Sequence, residues 1–171
     1  MTSTNPTTSA LTGTWALDPA KTTVGFRTKA MWILPVNATG KALSGEATIG
    51  ADGDVKGTLV IDAASFDTKN KKRDDHLRTG DFLEVGKYPT ITFTASSGRA
   101  VSDGLFEVTG LLTVRGQSRP LTLQARVRGA GGSATVDVEV EIDRSLWGMS
   151  WAKMGAGLKN QVAIHAHFDR A

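Results

Sequence analysis

The residues of this chain that could do chemistry are three histidines, a row of carboxylates and a few serines. His165 and His167 stand two apart in a segment that alternates polar and apolar residues, so both project from one strand face. Two imidazoles on one face suit a metal, but such a site needs further ligands that the sequence does not identify. Asp169 shares that face, which makes it polar and solvent-facing. Asp137, Glu139, Glu141 and Asp143 form an acidic row. Paired carboxylates act as acid and base when desolvation or mutual proximity separates their pKa values. Strict alternation with Val136, Val138, Val140 and Ile142 puts this row on a hydrated face instead.

No nucleophile elbow, P-loop or dinucleotide fingerprint occurs. Gly53, Gly57 and the Gly129–Gly132 loop read as β turns, because no helix start follows them. Nothing brings a base or an orienting group to Ser65 or Ser145. Cysteine is absent, which removes disulfide and thiolate chemistry. No catalytic residue, metal or cofactor is expected.

The large apolar residues say more. Met31-Trp32-Ile33-Leu34 follows the first long strand, and Trp147, Met149, Trp151 and Met154 sit in a glycine-interrupted segment before the last one. Three of the 4 tryptophans and three of the 4 methionines thus fall in two loop-like segments. Large apolar residues outside strand cores line or cover a binding mouth, where methionine adapts to flexible ligands and tryptophan gives broad contact. A cap that plugs a barrel end without any ligand is the competing reading.

The elements that must position these residues are strands. Thr22, Val24, Phe26 and Thr28 alternate with polar neighbours, as do Val162, Ile164, Ala166 and Phe168 near the end. Asp103-Gly104 is a two-residue hairpin signal. Pairing Ser102 with Leu105 sets Phe93 opposite Val114 and Ala95 opposite Leu112. The loop Ala51-Asp52-Gly53 sets Ile49 against Val55 and Leu43 against Ile61. The glycine-rich turn at 129–133 sets Leu121, Leu123, Ala125 and Val127 against Ile142, Val140, Val138 and Val136, with Arg126 across from Asp137. Helix is expected over Asn70–Thr79, with a short turn near Ser145–Met149. Around eight sequential antiparallel strands close as a barrel or stack as a sandwich, and hairpin connections favour the barrel, whose interior can hold one small ligand.

The 171 residues make one domain with room for a real core. Residues 1–12, rich in Thr, Ser, Asn and Pro, read as a flexible leader before a domain spanning 13–171. No apolar stretch approaches the ~20 residues of a membrane-spanning helix. The N-terminus shows no secretory pattern, so a cytoplasmic address is expected. A net charge of +3, whose densest basic run is followed at once by Asp74 and Asp75, does not make a nucleic-acid footprint.

Ordered blocks resemble the YceI-like family from Trp15 onward. They are Trp15-Ala16-Leu17-Asp18-Pro19; Val24-Gly25-Phe26; Ser65-Phe66-Asp67-Thr68; Arg73-Asp74-Asp75-His76-Leu77; Asp81-Phe82; Tyr88-Pro89-Thr90-Ile91-Thr92-Phe93; Gly110–Gly116; and Ile142-Asp143-Arg144 with Trp147-Gly148-Met149. Lys21-Thr22 and Lys29-Ala30 stand where family members often carry histidine. The resemblance implies an all-β, eight-stranded antiparallel lipocalin-like barrel with one or two short helices. It also implies a tunnel for a polyisoprenoid, such as a polyprenyl or quinone-type lipid. Phe26, Phe93, Leu112, Val140 and Phe168 are the expected tunnel wall. Met31, Trp32, Phe82, Trp147, Met149, Trp151 and Met154 are its expected mouth, which could also touch a membrane surface or a second copy. Arg73, Asp74, His76 and Asp81 are expected to cap a helix against a barrel end and to pair with Arg115 or Arg144. The rivals are a lipid-modifying enzyme with the barrel as a dry chamber, and a ligand-free structural or stress-associated barrel.

Overall fold

The computed structural model describes residues 10–30, 34–152 and 156–171. Met31, Trp32 and Met154, and most of the leader expected over 1–12, lie outside the described residues. Ten strands follow in order: β1 (Gly13–Leu17), β2 (Thr23–Ala30), β3 (Leu34–Gly40), β4 (Ala42–Ile49), β5 (Val55–Asp62), β6 (Thr90–Ser102), β7 (Leu105–Val114), β8 (Gln117–Ala130), β9 (Ser133–Asp143) and β10 (Lys159–Arg170). An α-helix, α1 (Lys71–Leu77), lies between β5 and β6, and short 3-10 helices span Pro19–Lys21, Ala63–Ser65 and Arg144–Trp147.

The strands close into a ring of eight antiparallel staves. Neighbours run β1-β4-β5-β6-β7-β8-β9-β10, and β10 returns to β1. β2 and β3 prolong two of these staves. β10 pairs with β1 over Phe168–Arg170 and with β2 over Gln161–His165, so the β1 and β2 segments lie end to end along it. β3 likewise continues into β4 after Lys41, pairing with β2 where β4 pairs with β1. Closure removes the free edges that an open sheet of this size would expose.

Turn chemistry sets the register, and bulges correct it. Ser102 pairs with Leu105 across Asp103-Gly104, where Gly104 holds the left-handed φ of +71° that the turn requires. Phe93 then faces Leu112 and Ala95 faces Gly110, not the expected Val114 and Leu112. Two irregularities in β6, at Ala95/Ser97 and Ala100/Ser102, each add a residue. One extra residue flips every side chain to the other face, and a second restores the phase. In the β4–β5 hairpin Ile49 faces Val55 as expected. An irregularity between Ala42 and Ser44 puts Ala42, rather than Leu43, opposite Ile61 and leaves Leu43 exposed. The β8–β9 register over Ala125–Ala130 is the expected one, including Arg126 against Asp137.

The two ends of the barrel differ. At one end Leu11, Trp15, Ile49, Phe106, Val108 and Val127 are buried against each other, and Trp15 Nε1 donates to the Leu11 carbonyl at 2.8 Å. At the other end Phe66, Leu83, Leu112, Val114, Trp147 and Met149 pack under the segment that carries α1 and under the 3-10 helix after β9.

Candidate functional site, an apolar hollow and its polar mouth

Inward-facing residues come from every stave by two-residue alternation, yet many are only half-buried. Phe93, Val140, Ile142, Val162, Ile164 and Phe168 are of this kind. They border a cavity of about 760 Å³ that runs inside the barrel. Along β7 it touches Phe106, Val108, Leu112 and Val114, which is about 26 Å of strand at the usual rise. The volume lies in the range of ligand sites, roughly 300–1,000 Å³. The barrel is therefore hollow, not filled by side chains.

The structure brings the expected site residues together wherever it describes them. Phe26, Phe93, Leu112, Val140 and Phe168 line the barrel interior, and Phe82, Trp147, Met149 and Trp151 line the same cavity. The expected mouth residues divide into two groups. Trp147 and Met149 are buried in the wall, with Trp147 Nε1 donating to the Leu112 carbonyl at 2.8 Å. Phe82 and Trp151 are half-exposed and form an edge-to-face cluster with His76, whose ring lies 5.0 Å from Phe82 and 4.5 Å from Trp151. Phe66, Leu83 and Phe106 also line the cavity and were not singled out from sequence. Alternation along Phe106, Val108 and Gly110 was a signal for Phe106. Phe66 and Leu83 lie outside the strands, where no period marks them.

Short polar residues build the mouth. Asn70 caps α1 by accepting from Arg73 N. Asp74 accepts from both the amide and the hydroxyl of Thr68, at 2.9 and 2.6 Å. Arg73 donates to Thr68 Oγ1 and to its carbonyl, and His76 Nε2 meets Asp81 at 2.8 Å. The signature polar residues thus brace the α1 segment internally. The expected pairing with Arg115 or Arg144 does not occur. Arg115 pairs with Glu84 at 3.3 Å and donates to the Gly148 carbonyl. Arg144, the first residue of the 3-10 helix, instead donates to the backbone carbonyls of Gly157 and Met149.

Asp143 caps that 3-10 helix by accepting from Ser145 N and Oγ, and these bonds hold its carboxyl below the usual range. Gly148, at φ +82°, ends the helix and turns Met149 inward. The Lys69 backbone amide, then its side chain, lowers Asp67, and a hydrogen bond from Lys71 lowers Asp75. On the outer wall His165 meets Asp137 at 2.6 Å and His167 meets Asp169 at 3.1 Å. Among the described residues no cluster of three or more histidine or acidic groups could hold a metal.

A closed eight-staved antiparallel barrel with an elongated apolar hollow and a braced mouth defines a lipocalin-like class of protein. Within it, the YceI-like domain model matches residues 15–169, and the chain belongs to that family. A UPF0312 protein of Vibrio vulnificus is 41% identical over 76 residues, which are 44% of this chain and 40% of that protein. Protein YceI of Escherichia coli is 43% identical over 76 residues, or 39% of its length. These matches span about two-fifths of those curated relatives.

Among solved structures, Burkholderia cenocepacia BcnA is similar with a TM-score of 0.81 and 25% identity, over 88% of this chain and 98% of that one. A polyisoprenoid binding domain from Saccharophagus degradans, implicated in plant cell wall breakdown, shares the fold. Its TM-score is 0.72 at 17% identity, over 92% of this chain and 98% of that one.

Proposed function

We propose that this protein binds or carries a polyisoprenoid or similar amphiphilic lipid inside the barrel and catalyses no reaction. The observation that carries the reading is the hollow, walled along its length by valine, isoleucine, leucine and phenylalanine. Such a cavity suits a long apolar chain, because burial of apolar surface contributes about 25 cal/mol per Å² and asks for few polar anchors. The fold shared with a polyisoprenoid binding domain supports the choice of an isoprenoid chain, polyprenyl or quinone-type.

Leu34, Leu146 and Leu158 are exposed at the end of the barrel that carries the mouth. They suit transient contact with a membrane surface from which lipid is taken; the same patch would serve pairing with a second copy. Among the described residues no helix is long and apolar enough to cross a membrane. A cytoplasmic address remains part of the proposal.

Native mass spectrometry of freshly purified protein, with lipid identification in an organic extract of the same sample, tests the reading. A stoichiometric prenyl lipid is the expected result. A ligand-free mass, with no stabilisation by added polyprenols or quinones, would refute it, since a ligand bound only by the folded state must stabilise it.

The His76–Asp81 pair beside the cavity favours one second reading, a lipid-modifying enzyme with the barrel as a dry chamber. That reading predicts chemical turnover of the bound lipid, lost in His76→Gln.

A further inference from the structure

Arg144 is only 6% exposed and lines the cavity. Its Nε donates to the Gly157 carbonyl at 2.9 Å, its Nη1 donates to the Met149 carbonyl at 2.6 Å, and its guanidinium lies 5.0 Å from the centre of the Phe82 ring. Among the described residues its Nη2 has no hydrogen-bond partner. A buried guanidinium nitrogen without an acceptor is costly, because its hydration has been given up and nothing replaces it. Burial pulls this guanidinium below its usual pKa while Asp143 opposes the change, but an arginine stays charged. The neighbouring Asp143 acts on it only through charge, since its carboxylate caps Ser145.

Carboxylates stand around the mouth, but the charged side chains that line the cavity there are basic. Lys29, Lys72 and Arg73 line the same cavity. Glu46, the acidic residue among the lining, is exposed on β4 and pairs in register with Ala16, beside the Trp15 end of the barrel. Asp81 and Asp74 are engaged with His76 and Thr68. A dry wall with a cationic donor that has no partner among the described residues, reached past Lys29, Lys72 and Arg73, is complementary to an anion on an apolar chain.

We propose that Arg144 is the head-group anchor of the cavity, its Nη2 donating to an anionic oxygen, carboxylate or phosphate, at the end of the bound lipid. The proposal rests on the lipid-binding reading above and adds to it the chemistry of the ligand's polar end. Arg144 also ties the 3-10 helix to the Gly157 segment, so the anchor is held rigidly and loses little entropy on binding.

Matched ligands on one prenyl chain test it: geranylgeranoic acid, geranylgeranyl phosphate, geranylgeraniol and the corresponding hydrocarbon, each titrated into delipidated protein by tryptophan fluorescence. The acid and the phosphate are expected to bind about tenfold or more tightly than the alcohol, the scale of one charge-assisted hydrogen bond. The tighter of the two identifies whether a carboxylate or a phosphate is the natural head. In Arg144→Gln the preference should fall below about twofold, while Arg170→Gln, at the opposite end, keeps it. Equal affinities in the wild type, or tightest binding of a neutral ligand, would overturn the anchor and leave lipid binding standing. Failure of all four to bind would remove both readings. If Arg144→Gln does not fold, the wild-type series alone decides.

Discussion

Each end of the barrel carries an arginine laid over an aromatic ring and tied to backbone carbonyls, and the two differ in what is left over. Arg170 sits 4.4 Å from the Trp15 ring centre and donates to the carbonyls of Gly131, Thr12 and Ala10, one from each donor nitrogen. It is exposed, fully partnered and closes the end. Arg144 sits over Phe82, reaches two carbonyls, and keeps Nη2 buried without a partner among the described residues. The same device is a finished strap at one end and an unfinished one at the other. The cavity-side copy is the one that keeps a donor to offer.

If the Trp15 end is a structural plug, truncating its centre should cost most. Phe106→Ala, at 1% exposure, is expected to lower unfolding free energy in urea by about 3–5 kcal/mol. A loss below 1 kcal/mol would mean that this end is not packed as a core. Next, Arg144→Gln removes the guanidinium donors to the Met149 and Gly157 carbonyls, the second of which keeps Thr28 Oγ1, for a loss of about 1–3 kcal/mol. Arg170→Gln is expected to lose about 1 kcal/mol or less, because water replaces its bonds at an exposed site. Equal losses would erase the contrast between the arginines. Trp151→Ala, on the half-exposed rim, should change stability by under about 1 kcal/mol while measurably weakening lipid affinity.

Acid sharpens the same contrast. Asp67, Asp75 and Asp143, held below their ordinary range, all belong to the mouth end. A carboxylate with a depressed folded-state pKa binds fewer protons folded than unfolded near that pKa. Its contribution is therefore complete above the unfolded value, near 4, and is lost as pH falls through the lower folded value. Hydrogen exchange on dropping from pH 7 to pH 3, corrected for intrinsic rates, should show α1 and the Arg144–Trp147 helix losing protection before β7 does. Asp143→Asn should blunt that loss at the 3-10 helix. Uniform loss along the chain would contradict the assignment.

Much of this was legible in the sequence. Alternation and turn residues marked the strands, and the Asp103-Gly104 hairpin fixed its own first pair. Bulges were not legible, since an added Ser or Val leaves no compositional trace; the paired bulges of β6 moved the register by two and preserved which residues face inward. Phe26, Phe93, Leu112, Val140 and Phe168 could be placed on the cavity side from phase alone. The roles of the signature residues were only half legible. Caps follow local rules, and Asn70 and Asp143 obey them. Which carbonyls Arg144 reaches depends on a tertiary approach of the Met149 and Gly157 segments that no local pattern encodes.

The central claim is that the hollow is the binding site. The most direct test is a titration of a polyprenol into wild-type protein and into Val140→Trp, which adds bulk from a half-buried cavity wall without touching the mouth. The account predicts that Val140→Trp keeps the far-UV spectrum and a Tm within a few degrees, and loses most of its polyprenol affinity. A folded Val140→Trp that binds polyprenol as tightly as the wild type would contradict it and move the site outside the barrel.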